Sequence, residues 1–556
     1  MRWAVADTGD GSVRLCPVDG QGRAAGPVVT EPSLAAAVRA RPEVGRWVWR
    51  STARTYGRLL DAGVRVERCY DVEAAEALLI GHEQGQSGQP RSLAAAWARL
   101  RGLPVPADPP VRAADAQPSL FEPGPVPLPP GTDPLEALLE VHAAQLARTR
   151  GAEHPGRMSL LTAAESAGTL VAAEMGRSGV PWRADVHRRL LDELLGERYA
   201  GGQETRRLAE LAEEVSRAFG DGVRVRPDLP ADIVRAFARE GIALSSTRAW
   251  ELQEIDHPAV PALLEYKKLY RLHTAHGWAW LQSWVREGRF RPEYLPGGTV
   301  TGRWTSNGGG ALQIPRVVRR AVVADPGWCL VVADADQMEP RVLAAVSRDP
   351  GLMDVAGSGR DLYGDLAERV FSGDRDRAKL AMLGAIYGQT SGDGLKHLAD
   401  LRRRFPRAIA YVDDAARAGE EGRLVRTWLG RTCPPSSTAV DDEAGLPQEE
   451  PASWGSTASA RARGRFTRNF VIQGSAADWA LIVLASVRQS IAGLRAELVF
   501  FQHDEVIVHC PREEAPEVVA AIRTAGDRAG RIAFGDTPVR FPFTTAVVEC
   551  YAEAKA

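Results

Sequence analysis

Leu498-Val499-Phe500-Phe501-Gln502-His503-Asp504-Glu505-Val506-Ile507-Val508 is the stretch from which the fold is read. Two apolar runs flank a polar tetrad, the pattern of a β-hairpin with a tight turn. Such turns are usually served by Gly or Asn; here the tip carries acids instead. A second apolar run, Cys329-Leu330-Val331-Val332-Ala333, has the character of a buried strand and ends in Asp334. A carboxylate at a strand end is as often a helix cap as a functional group, so Asp334 alone decides nothing. If both strands belong to one sheet, however, the two carboxylates can share a pair of divalent cations. Mg²⁺ prefers one or two carboxylates plus substrate phosphates. Two such ions roughly 4 Å apart stabilise the attacking and leaving oxygens of an in-line phosphoryl displacement.

Between these runs the chain reads as mostly helical, from about Val342 to Arg431. Within that block, Asp374 to Tyr387 predicts a helix that stops before Gly388. Arg375, Lys379, Leu383 and Tyr387 recur every four residues and therefore share one face. The first two can hold a triphosphate, and the last two offer apolar surface to a base. On spacing alone, a solvated charged face running into a core is the stronger reading.

The chain has 556 residues, with 69 Lys plus Arg against 71 Asp plus Glu. That length implies three or four domains, and the near neutrality leaves a nucleic-acid partner open, because binding depends on where the cations sit. With 44% apolar and 25% charged residues it reads as globular rather than disordered. No run approaches the roughly 20 apolar residues of a membrane helix. The N-terminus has no long apolar stretch of signal-peptide type, and a cytoplasmic location with no membrane partner is expected. Six scattered cysteines without a C-x-x-C pair predict reduced thiols and no zinc site. Lys267, Lys268, Lys379, Lys396 and Lys555 are the only lysines. Arginine is the default cation, so each lysine is the more informative.

The first hundred residues read as α/β, with strand-like Trp3 to Val5 and Trp47 to Trp49 and a helical Val72 to Ile80. Gly102 to Pro134 is rich in Pro, Ala and Gly and reads as a linker. A helix-rich region follows to about Gly288. Pro434 to Ala460 contains no Lys or Arg and five acids, which predicts a flexible surface insertion. Arg461, Arg463, Arg465 and Arg468 follow it at once.

Several stretches together resemble one known family. Thr301-Gly302-Arg303, Leu312-Gln313-Ile314-Pro315, Asp334-Ala335-Asp336-Gln337-Met338-Glu339-Pro340-Arg341, the Arg375/Lys379/Tyr387-Gly388 helix, Gln473-Gly474-Ser475-Ala476-Ala477-Asp478 and Gln502-His503-Asp504-Glu505 stand in the order and approximate spacing of the motifs of family A DNA polymerases. Six in register are a specific signal. With Ala173-Glu174-Met175 upstream, the resemblance covers about Leu135 to the C-terminus.

The resemblance implies that Asp334 and Asp504 hold two Mg²⁺ ions, for which Mn²⁺ can substitute, with Glu505 auxiliary beside them. It implies that Arg375 and Lys379 bind the phosphates of a dNTP, Lys379 with a catalytic role, and that Leu383 and Tyr387 line the nucleotide pocket. Gln337, Glu339 and Arg341 would sit beside that pocket, Glu339 as a barrier to a 2′ hydroxyl. Arg303, Arg341, Arg465, Asn469, Gln473 and His503 would contact primer-template DNA. Departures from the family pattern include Ala335-Asp336 in place of Tyr-Ser, adding a third negative charge near the metals. Leu383 replaces an aromatic ring, and one residue is missing between Gln313 and Ile314. None removes a metal ligand.

The N-terminal region resembles, more faintly, the proofreading exonuclease that precedes such polymerases. Val5-Ala6-Asp7-Thr8-Gly9 keeps the aspartate of that module's first motif and loses the glutamate, and Ser51-Thr52-Ala53-Arg54 offers no second aspartate. The expected architecture is therefore α/β and multidomain. A degenerate RNase H-like exonuclease-type domain (1–101) and a linker (102–134) precede a right-hand polymerase (135–556). Its thumb is expected at about 190–290, its fingers at about 345–431 and its palm in the remainder, with the insertion at 434–460. The expected function is primer extension on a DNA template in repair or replication, by a monomer that does not proofread. The alternatives are a residual exonuclease, a weakly catalytic DNA-binding scaffold and a single-subunit RNA polymerase. Both aspartates argue against the scaffold, and Glu339 against the RNA polymerase.

Overall fold

A computed structural model of the chain describes residues 1–85, 88–109, 124, 126–198, 205–307, 310, 314–388, 394–435 and 457–555. Most of the expected linker core (110–123 and 125) and of the expected insertion (436–456), together with Leu312 and Gln313, lies outside them.

The chain forms two compact units. The first takes in Met1–Ser178, Glu293–Asn307 and Val331–Val547. It opens with a five-stranded sheet of β1 (Arg2–Asp7), β2 (Val13–Val18), β3 (Val29–Glu31), β4 (Arg46–Trp49) and β5 (Cys69–Asp71), in the order β3-β2-β1-β4-β5. β1, β2 and β3 are antiparallel neighbours, while β4 runs parallel to both β1 and β5. Both faces are covered, which is why β4 reads as continuously apolar. Trp47 and Trp49 enter one core cluster with Tyr56 and Leu59; Val48, pointing the other way, joins Ala4, Tyr70 and Leu138.

The acids of this module serve local structure. Asp7 pairs with Arg58 at 2.7 Å. Asp10 accepts from Thr8 and Ser12, bonds that lower its pKa to about 2. Asp71 caps the Val72–Gln84 helix and accepts from the Thr52 backbone at 2.7 Å.

The second sheet of this unit has four strands in the order Glu497–Gln502, Glu505–Pro511, Trp328–Ala335, Phe543–Val548. The first two form the expected hairpin, with a register shift between Leu498 and Phe500. The Pro155–Ser178 helix packs on its first strand and the Ala515–Phe534 helix on its second, and both pack in turn on the 34-residue Thr457–Ser490 helix. Its Ser459–Ser490 portion corrects an expectation, being long and apolar enough by composition to cross a membrane. It is almost wholly buried among the Pro155–Ser178, Pro406–Glu420 and Ala515–Phe534 helices, as a core helix is.

The second unit comprises Gly179–Pro292, Gly308–Leu330 and Val548–Ala556. It is mainly helical around Val215, Ile233, Phe237, Leu252 and Leu263. An aromatic group of Trp182, His187, Trp280 and Phe290 packs in it, and burial depresses the His187 imidazole to about 4.

Candidate active site

The two aspartates lie at one end of the four-stranded sheet, where its two central strands adjoin. Cys329 to Ala333 are buried in its interior, and the strand surfaces at Asp334, which is half-buried like Asp504. The Ala335 amide donates to the Asp504 carbonyl at 3.0 Å, so the end of this strand and the hairpin turn adjoin. The turn is two residues long because Gln502 pairs with Glu505. His503 therefore takes a left-handed conformation (φ 55°), as does Gln337 (φ 46°) just past Ala335. Non-glycine residues in that region store roughly 1–3 kcal/mol each and cluster at functional sites. The third acid, Asp336, is held by Thr544, whose hydroxyl donates to it at 2.7 Å.

Among the described residues no three His, Cys, Asp or Glu side chains converge as a metal-ligating group. Glu505, expected as an auxiliary beside the metals, is 4% exposed as the first residue of the buried second strand of the hairpin. The Asp334 and Asp504 carboxylates as a pair would suit Mg²⁺, whose remaining positions go to phosphates and water.

Beside this end of the sheet runs a chain of polar contacts. Arg303 donates to Glu339 at 3.0 Å, and the Tyr387 hydroxyl donates to the other Glu339 oxygen at 2.8 Å. Burial, and then the Glu339 carboxylate, raise the Tyr387 pKa, so the phenol stays protonated as a donor. The Gln473 amide, oriented to suit its neighbours, accepts from Arg303 at 2.6 and 3.1 Å and donates to Thr301 at 3.0 Å. Arg303, Glu339, Tyr387 and Gln473 thus form one continuous assembly.

The helix expected to carry phosphate ligands spans Arg375–Tyr387, capped by Asp374 and ended by Gly388 in the left-handed conformation (φ 76°). Lys379 is exposed and makes no ion pair among the described residues; Leu383 is half-buried. Arg375 is already engaged by Asp361 at 2.6 and 3.3 Å. Exposed pairs of this kind are worth about 0–1 kcal/mol, so a phosphate can displace the carboxylate.

Arg465, Asn469 and Gln473 recur every four residues along the Thr457–Ser490 helix and share a face. Arg465 is exposed, with its Cγ near Gly388. Arg468 turns inward, donating to the Ala385 carbonyl at 2.6 Å and pairing with Asp413, and so ties this helix to the end of the Arg375–Tyr387 helix.

The expectation that Arg341 contacts DNA is corrected. Arg341 is 0% exposed, and its guanidinium donates to the carbonyls of Asp336, Ala356, Arg360 and Arg540 and to Gln337 Oε1. It is a structural knot below the pocket. Gln337 in turn accepts from Arg341 and from the Leu362 amide. Arg341→Met, which strands four carbonyls, is expected to destabilise the protein by on the order of 3–5 kcal/mol. Denaturant unfolding checks this, and a loss below about 1 kcal/mol would refute it.

A group of residues with no expected role supports the site from behind. Arg431 is buried, with Nε 2.9 Å from Asp478 and an NH₂ group 2.7 Å from Glu165; Thr427 donates to Asp478 at 2.7 Å. In Gln473 to Asp478, Gly474 lets Thr301 and Thr427 approach, Ser475 Oγ accepts from the Trp428 amide, and Asp478 holds Arg431. The sequence signal was available. Glu165 and Asp478 are acids inside strongly apolar helical runs, where burial requires a partner.

The model of DNA polymerase family A matches residues 236–533, more than half of the chain. The chain belongs to DNA polymerase family A. DNA polymerase I of Chloroflexus aurantiacus is 30% identical over 313 residues, 51% of this chain and 31% of that protein. The thermostable DNA polymerase I of Thermus filiformis is 29% identical over 292 residues, 49% and 34% of the two chains. The chain thus matches about a third of the length of these curated relatives. The fold also resembles the POL domain of Pol1 from M. smegmatis, solved in complex with DNA primer-template and dNTP. That likeness has a TM-score of 0.69 at 21% identity and covers 100% of this chain and 96% of the other. The mixed α/β polymerase fold expected from the motifs is the fold observed. Family A polymerases generally use divalent metal ions.

Proposed function

We propose that this chain extends the 3′ end of a primer on a DNA template, using dNTPs. The observation that carries the reading is the placement of Asp334 and Asp504 together at one end of the sheet's two central strands, beside the Arg303–Glu339–Tyr387 assembly, in a member of this family. Asp334 and Asp504 would hold two Mg²⁺ ions, which when bound neutralise charge on the reacting phosphate oxygens. The primer 3′ oxygen forms a bond to the α-phosphorus as the bond to pyrophosphate breaks. Lys379, and Arg375 once it leaves Asp361, place positive charge by the departing phosphates. Tyr387 and Leu383 face the base, and Glu339 stands where a ribose 2′ hydroxyl would lie. Arg303, Arg465, Asn469, Gln473 and His503 contact primer or template. Such contacts to the sugar-phosphate backbone need no sequence readout. The helical second unit fits the role of a thumb. Primer extension with dNTPs, with rNTPs and with a mismatched primer tests the reading; no templated extension by purified protein with Mg²⁺ would refute it.

We also propose that the chain does not proofread, its N-terminal module serving to brace the polymerase. Asp7, Asp10 and Asp71 are committed to Arg58, to Thr8 and Ser12, and to a helix cap. The module is tied down elsewhere: Arg488 donates to Glu174, to the Tyr56 hydroxyl and to the Val66 and Glu67 carbonyls. With a mismatched primer, metal and no dNTP, the terminal nucleotide is expected to stay in place. Metal-dependent removal that is lost in Asp7→Ala but kept in Asp504→Asn would overturn this.

A further inference from the structure

Arg431 lies directly behind the Thr301-Gly302-Arg303 turn. Gly302 is left-handed (φ 83°), and a Cβ on it would stand 2.6 Å from Arg431 Cζ, so the turn rests on the guanidinium. Gly297 (φ 63°) meets the other side of the network, where a Cβ would stand 2.6 Å from Glu165 Oε1. The turn closes on itself through the Thr299 amide to the Arg303 carbonyl (3.1 Å) and the Gly302 amide to the Thr299 carbonyl (3.0 Å). Its position is therefore set by what lies beneath it. Arg431 is fixed from two helices, by Glu165 on Pro155–Ser178 and by Asp478 on Thr457–Ser490. The backbone beside it is also held, because the Arg431 amide donates to Thr427 Oγ1 at 3.0 Å and His82 Nδ1 lies 3.2 Å from the Gly430 carbonyl.

We propose that Arg431 is a positioning residue: by fixing the Gly302 turn it sets the place of Arg303, and through the Arg303–Glu339 ion pair it sets how closely Glu339 approaches the sugar of the incoming nucleotide. The inference rests on the polymerase reading and deepens it, because it assigns part of the choice between deoxyribose and ribose to a group that never touches substrate. A planar two-pronged donor is needed to engage two carboxylates while lying flat under a glycine. Lysine keeps the charge and loses both features.

The test compares Arg431→Lys, Thr427→Val and Arg488→Lys with the unaltered chain, measuring thermal stability and the ratio of kcat/KM for dNTP over rNTP in primer extension. Arg488 is the control, a largely buried arginine paired with Glu174 that supports the same long helix and does not touch the turn. Arg431→Lys is expected to lower the sugar ratio at least about tenfold, since sub-ångström misplacement near reacting groups is costly. Thr427→Val, which removes the hydroxyl that donates to Asp478 and accepts from the Arg431 amide, should shift the ratio the same way by less, and it carries the test if Arg431→Lys does not fold. Arg488→Lys should lower the melting temperature and leave the ratio unchanged. If the unaltered chain extends primers and both network variants keep its ratio within about twofold, the positioning role is wrong while the polymerase reading stands. If the unaltered chain extends nothing, the functional reading fails and takes this inference with it.

Discussion

Asp504→Asn, and equally Asp334→Asn, is expected to lower primer extension by roughly a thousandfold or more while leaving affinity for duplex primer-template within about threefold of the unaltered chain. Each substitution keeps the size of the side chain and removes one negative charge at this end of the sheet. Both positions are half-buried at strand ends, so neither contributes to the core. The Ala335 to Asp504 bond uses the backbone carbonyl and survives either change. The effect should therefore fall on chemistry and not on folding. Duplex affinity comes chiefly from cations that meet phosphates. Single-turnover extension together with a binding titration at fixed salt separates the two. Turnover within tenfold of normal in either variant would sink the assignment of Asp334 and Asp504 as the catalytic centre.

What was legible in the sequence is local or periodic. The hairpin could be read because its strands are apolar and its turn is not. The Arg375–Tyr387 helix could be read because its residues repeat every four and Gly388 stops it. What was missed depends on where distant backbone goes. Arg341 looks like a surface cation beside a pocket until the carbonyls of Ala356, Arg360 and Arg540 are seen to surround it. The partner of Arg375 is Asp361, fourteen residues upstream on the preceding helix boundary. Glu505 sits next to Asp504 in sequence, yet Asp504 lies half-buried in the hairpin turn while Glu505 is buried as the first residue of the strand that follows. The apolar length of Ser459–Ser490 was overlooked, and composition alone cannot tell a lipid environment from the interior of a large helical packing, where the fold places it. The assembly behind the site was half legible: Glu165 and Asp478 announced buried partners, but only the fold brings Arg431 to both.

Glu339→Ala is expected to lower the preference for deoxyribonucleotides over ribonucleotides by about a hundredfold, from loss of ribose exclusion rather than from faster chemistry. Glu339 does three things at once: it fills space, pairs with Arg303 at 3.0 Å and accepts from Tyr387 at 2.8 Å. Alanine removes all three, so it should also slow dNTP incorporation about tenfold, because Tyr387 loses the acceptor that fixes its ring and Arg303 loses its carboxylate. Glu339→Gln separates these effects. The amide keeps the bulk and can still accept from Tyr387 through its oxygen, but it gives up the charge that holds Arg303. If bulk excludes the 2′ hydroxyl, the glutamine variant should keep most of the sugar preference and lose dNTP turnover. If the ion pair sets the barrier by drawing Glu339 toward Arg303, glutamine should lose the preference nearly as far as alanine does. An unchanged ratio of kcat/KM for the two sugars in Glu339→Ala would show that neither applies and that another residue selects the sugar.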